Sequence, residues 1–299
     1  MKKLIIIIAV LSMHYMNAQI DPVKYPTFTD MESALRSKEP VYSMSFREKG
    51  LFNLPPDLKK MKSLFFLNIM GNHLEKMDQE LFSLIQLEIL NVNENGIKYI
   101  PDEIGALKNL TSFSMNLNSL TDINPNVAQL QKLRSVHFDA NNLNVFPEAL
   151  LKIPSLEEIN LQGNQISFVS EHLDAIKNLQ YLNLSSNQIN DLGKIKLPKK
   201  LKYLELQKNR IIEIPERVLR SEKLEFLNVS DNMITKINPK VKSLKNITSI
   251  NLANNRITDL PKEFKELRNL KTLILNGNPI SQSTLEKLKI MLPDTQIYF

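Results

Sequence analysis

The chain has 299 residues, 42% of them hydrophobic and 23% charged, with no Cys and no Trp. That length can fill a large core, and the lack of Cys excludes disulfides and thiolate-bound metal. The formal charge of +6 becomes +4 without Lys2 and Lys3, and the remaining Lys and Arg lie scattered among nearly as many acids. They do not gather into the basic stripe that nucleic-acid binding requires.

Lys2 and Lys3, followed by the apolar run Leu4 to Leu11, have the form of a secretory signal. Residues 1–18 are therefore expected to be removed, with cleavage after Ala18. The run is shorter than the about twenty apolar residues that cross a bilayer, so it predicts no transmembrane anchor. Residues 19–40 read as a linker and a short capping helix, with Thr29 as N-cap and Glu32 closing a capping box ahead of Ala34 and Leu35.

From residue 41 to about 282 the sequence repeats the pattern L-x-x-L-x-L-x-x-N. Clear copies are Leu156, Ile159, Leu161, Asn164 and Leu179, Leu182, Leu184, Asn187. The asparagines are Asn72, Asn95, Asn118, Asn141, Asn164, Asn187, Asn209, Asn232, Asn255 and Asn278, spaced by 23 residues except for 22 between Asn187 and Asn209. A weaker copy at Val41, Met44 and Phe46 precedes them, with Lys49 in place of the asparagine, which makes about eleven units. Period-2 leucines define a short strand with one face turned inward. The asparagine, carrying both donor and acceptor, is suited to pair the backbone where the chain bends behind that strand.

The second half of each unit, as in Ile97, Ile100, Pro101, Ile104 and Leu107, predicts a short helical or 3₁₀ return. Asn124-Pro125 and Asn238-Pro239 should alter the turn without altering the phase. The 22-residue unit, ending in Leu192, Gly193, Lys194, Ile195, Lys196, Leu197 and Pro198, should differ locally on the convex side. No unit can bury its apolar edge alone, so the units must stack into an α/β solenoid: a curved parallel sheet inside, short helical segments outside. Residues 283–299 complete it as a C-terminal cap, with a helical stripe of Leu285, Leu288 and Leu292 and a last short strand at Ile297, Tyr298 and Phe299.

On these residues the chain resembles the leucine-rich-repeat superfamily over about residues 41 to 280. The 23-residue unit with its Ile-x-x-Ile-Pro resembles repeats of bacterial surface and secreted proteins and of Ras-pathway scaffolds. Met31, Glu32, Ala34 and Leu35 with Pro40 and Val41 are similar to the opening of exported repeat proteins of the Bacteroidetes group. The resemblance implies binding of a protein partner through the concave sheet and no shared catalytic site, so it brings no catalytic residues.

The outward positions are the third and fifth of each unit. The third column holds Phe66 and Ile89 near one end and the consecutive Tyr181, Tyr203 and Phe226 farther along; the fifth is mostly amide, with Asn160, Asn183, Glu205 and Asn228 beside those rings. Exposed aromatics rimmed by polar groups are what protein interfaces use as anchors. Rings over a row of amides also suit a glycan, and cross-strand aromatic packing alone would stabilise a sheet. His137 is expected to stand alone on this face. The run from Asn91 to Asp102 imitates a calcium loop but lacks carboxylates at its first ligand positions and needs Asn95 inside. His73, His137 and His172 fall at different phases of different repeats, so they converge on no catalytic or metal site. The expectation is a secreted, periplasmic or cell-surface binding protein for a protein partner, with a glycan or envelope-polysaccharide binder and a purely structural spacer as the alternatives, not an enzyme, with no cofactor and no nucleic-acid partner.

Overall fold

The computed structural model describes residues 25–299. The expected signal and the residues up to 24 lie outside the described residues. Among the described residues thirteen strands follow one another in sequence order in a single sheet, and every neighbouring pair is parallel. They are β1 (Thr27–Phe28), β2 (Ser43–Ser45), β3 (Phe66–Asn68), β4 (Ile89–Asn91), β5 (Ser112–Ser114), β6 (Ser135–His137) and β7 (Glu158–Asn160). After them come β8 (Tyr181–Asn183), β9 (Tyr203–Glu205), β10 (Phe226–Asn228), β11 (Ser249–Asn251), β12 (Thr272–Ile274) and β13 (Gln296–Tyr298). The eleven repeats supply β2 to β12, each strand being the third to fifth residues of its unit. β13 is the expected last strand. β1 carries no repeat signature, and it pairs with β2 through Thr27↔Ser43 and Phe28↔Met44.

The inward leucines, isoleucines and phenylalanines form one continuous core from Ala34 to Leu292. Phe113 and Phe138 meet edge to face in its middle, with ring centroids 5.5 Å apart. The repeat asparagines stitch this core together at the bend behind each strand. Asn187 donates to the carbonyls of Leu161, Leu184 and Ser185 at 3.0, 3.1 and 3.1 Å and accepts from the Ile166 amide at 2.9 Å. Two of those partners belong to the preceding repeat, so each asparagine joins two units as well as closing its own turn. The residue before it is always left-handed, from Gly71 through Leu117 and Ala140 to Gly277, and this reversal is what aims the amide inward.

The returns on the outer side are mostly 3₁₀ turns of three to five residues, with α1 (Met31–Arg36), α2 (Glu216–Leu219) and α3 (Gln282–Met291) as α-helix. At the Asn-Pro sites Asn124 and Asn238 cap the turn, accepting from the amides of Asn126 and Lys240. The 22-residue unit has no helical return at all between β8 and β9. One expectation fails at α1: the N-cap is Asp30, whose carboxylate accepts from the Ser33 amide at 2.7 Å, not Thr29. Thr29 is one residue too early because Thr27 and Phe28 are held in β1.

Candidate protein-binding face

Strand register sets the third-column side chains shoulder to shoulder. Phe66 lies beside Ile89, and Tyr181, Tyr203 and Phe226 follow one another on β8, β9 and β10. All five are half-buried. The rings of Tyr181 and Tyr203 stand 6.5 Å apart, tilted by 43°. Their hydroxyls are tied at the tip: Tyr181 donates to Glu205 at 2.8 Å and Tyr203 to Glu225 at 3.2 Å. Burial, and then the Glu205 carboxylate, push the Tyr181 phenol far above its ordinary range, so it stays a donor. The result is a row of half-buried rings, the two tyrosines with their tips fixed.

The fifth column does not form the open amide ladder that its composition suggests. The side-chain oxygens of Asn160, Asn183 and Asn228 accept from the amides two residues on, at 3.3, 2.9 and 3.1 Å, and Asn68, Asn91 and Asn251 do the same. These are Asx turns that end the strands. Asn183, Glu205 and Asn228 are also 4%, 5% and 7% exposed, so they are not surface groups. Strands roughly 4.8 Å apart on a concave surface crowd their side chains together, and a short amide or carboxylate sinks between longer neighbours. Asn160 stays half-buried and donates to Asp139 at 2.9 Å.

His137 is not alone. Its Nε2 lies 3.7 Å from Oε1 of Glu158, which is 5% exposed, and Asp139 follows on the same face. That separation would suit an ion pair, but burial drives both groups toward neutrality, holding the imidazole down to about 4 and the Glu158 carboxyl up to about 7. Burial and the nearby Glu158 carboxylate push Asp139 up to about 7 as well. Asp139 Oδ1, Glu158 Oε2 and Gln207 Oε1 are buried without a hydrogen-bond partner. The adjacent Glu157 points elsewhere, toward Arg134 at 2.8 Å. Asp139, Gln162 and Gln207 occupy the seventh position of the unit, which the two-column reading left out. Extending the outward alternation one step past the strand would have found them. Among the described residues no three His, Asp or Glu side chains are grouped to hold a metal ion, and no helix is long and apolar enough to cross a membrane.

A family model described as leucine rich repeat matches residues 108–166, 131–189 and 222–280. Among solved structures the chain is similar to a leucine-rich-repeat protein of Leptospira interrogans, at 32% identity and a TM-score of 0.79 over 87% of this chain. It spans 66% of that protein's length. An internalin of Listeria monocytogenes aligns with 82% of this chain and 76% of its own, at 22% identity and a TM-score of 0.67. A PEPR1–AtPEP1 structure aligns with 83% of this chain and 40% of its own, at 25% identity and a TM-score of 0.61. No curated protein sequence matches the chain.

Proposed function

We propose that this chain, which belongs to the leucine-rich-repeat superfamily, is an exported binding module that presents its concave sheet to a protein partner, in adhesion, recognition or as a scaffold. The observation that carries this reading is the row Tyr181, Tyr203 and Phe226, in register on three adjacent strands. The two tyrosines, held at their tips, lose little freedom on contact, so the area they bury goes into affinity. The likeness to the repeat chain of a PEPR1–AtPEP1 structure supports a surface of this kind. Lys2, Lys3 and the apolar run behind them support export to a periplasm, a cell surface or the medium. The opening from Met31 to Val41 supports a bacterial export of the Bacteroidetes type. A glycan fits less well, because Asn183 and Asn228, expected to meet sugar hydroxyls, are nearly buried and already accept from the backbone.

The test starts from crosslinking the mature chain in its native surroundings to identify the partner. Replacing Tyr181, Tyr203 and Phe226 together by Ser should then weaken binding by more than about tenfold, since anchors cost roughly 2 kcal/mol when truncated. The melting temperature should fall only moderately, by the loss of the Tyr181 bond to Glu205, with the fold retained. Binding that survives while the melting temperature collapses would mean that the rings only pack the sheet.

A further inference from the structure

We propose that the centre of the concave face, at Asp139, Glu158 and Glu205, is the seat for a basic side chain, arginine or lysine, of the protein partner. This rests on the concave face being the binding surface. The observation behind it is a local imbalance of donors and acceptors. Asp139 Oδ1, Glu158 Oε2 and Gln207 Oε1 are buried and unpartnered, and all three are acceptors. Groups buried in that state are costly and are ordinarily satisfied, and here only a donor can satisfy them.

Among the described residues no Lys or Arg forms an ion pair with Asp139, Glu158 or Glu205; their ion pairs go to other carboxylates, and Glu158 meets only His137. The groups facing the cluster are His137 and Asp139 from the repeat of β6, Asn160 and Gln162 from that of β7, Tyr181 from β8, and Glu205 and Gln207 from the repeat of β9. Three acidic side chains therefore stand among amides, a phenol and an imidazole that burial keeps uncharged, and a cation seated among them would favour their ionised form. The open acceptors lie on three different repeats, and the cation that spans such a spread is an extended one with several N–H donors. A guanidinium carries five in a planar fork and an ammonium three. The Tyr181 and Tyr203 rings alongside offer the aromatic flank that such a cation also favours. Asn160 and Tyr181, both half-buried, already donate to Asp139 and Glu205.

Peptides carrying one arginine between glycines, capped at both ends, provide the probe, with the lysine peptide beside it and the citrulline peptide as a neutral control of the same shape. Titration of the full-length mature protein, followed by chemical shifts, should show the arginine peptide binding at least about tenfold more tightly than the citrulline one. Glu158→Gln and Asp139→Asn should each reduce that affinity about fivefold or more, and Glu266→Gln on the outer side should not. Affinity should rise between about pH 5 and about pH 8 as the carboxylates ionise. Both substitutions remove a buried charge and keep the shape, so folding survives them. Equal binding of arginine and citrulline peptides, or an arginine affinity untouched by Glu158→Gln, would overturn the proposal. The concave reading itself fails separately, if the triple Ser variant keeps its crosslinked partner.

Discussion

Asn187 makes four hydrogen bonds with one amide, two of them into the preceding repeat. Replacing it by Leu keeps the bulk and orphans those backbone groups, at roughly 1 to 3 kcal/mol for each one left buried. Asn183, four residues earlier, is an outward residue by alternation, and on that ground alone its loss should hardly register. The structure assigns it a real cost, because it is 4% exposed, accepts from the amide and hydroxyl of Ser185 at 2.9 and 2.6 Å, and donates to Gln162 at 3.2 Å. We expect Asn187→Leu to cost about 3 kcal/mol or more and Asn183→Leu about 1 to 2 kcal/mol. Urea unfolding of the two variants side by side measures both. A neutral Asn183→Leu would place that side chain back on the surface, and a larger loss for it than for Asn187→Leu would reverse the faces of the repeat.

At the scale of the element, the returns differ in how well they hold themselves. The turn at Pro125–Gln129 is capped by Asn124 and closed by bonds from Val127 to Asn124 and from Leu130 to Val127, each of 3.0 Å. The corresponding stretch of the 22-residue unit keeps Ile195 to Leu192 at 3.1 Å and Lys196 to Glu171 at 3.0 Å, with no helical turn. Missing one residue, the unit cannot complete a 3₁₀ turn and still reach β9 in register. Opening free energy follows the local density of such bonds, so amides of residues 194–197 should exchange about tenfold faster or more than those of residues 127–130. Hydrogen-exchange mass spectrometry reads this directly. Equal protection in the two segments would show that the shorter route is as firmly held as the regular one.

For the whole molecule the buried charges in the middle of the arc matter most, since the repeats on both sides share one core. Glu158 is raised from 4.5 to about 7 and Asp139 from 3.8 to about 7. A raised carboxyl contributes stability that is fully present below its unfolded value and is lost as pH rises through its folded value. His137, held down to about 4 from 6.5, acts oppositely and costs stability as pH falls through that interval. Glu158→Gln removes one raised group and leaves the rest. The variant should therefore match the parent near about pH 4 and exceed its stability by on the order of 2 to 3 kcal/mol above about pH 7. Denaturant unfolding across that range provides the comparison, and a constant difference at every pH would show that Glu158 does not titrate with folding.

The repeat phase, the strands it places, the inward leucines, the bending asparagines and the closing strand at Ile297 were all legible in the residues themselves. Each depends on a period of two along a strand or of 23 along the chain, and a period is carried by the order of the residues. The row of Tyr181, Tyr203 and Phe226 was legible for the same reason. What lay beyond reach was how deep each outward residue sits. Asn183, Glu205 and Asn228 are buried, and His137 has company, because a curved sheet presses together side chains from units 22 or 23 residues apart. Whether an acid on one strand is covered by a tyrosine on the next is set by the curvature and by the neighbour's rotamer. Likewise Asp30, not Thr29, became the cap because β1 pairs with β2. Alternation tells which way a side chain leaves the backbone, and only the assembled solenoid decides whether it then meets solvent or another side chain.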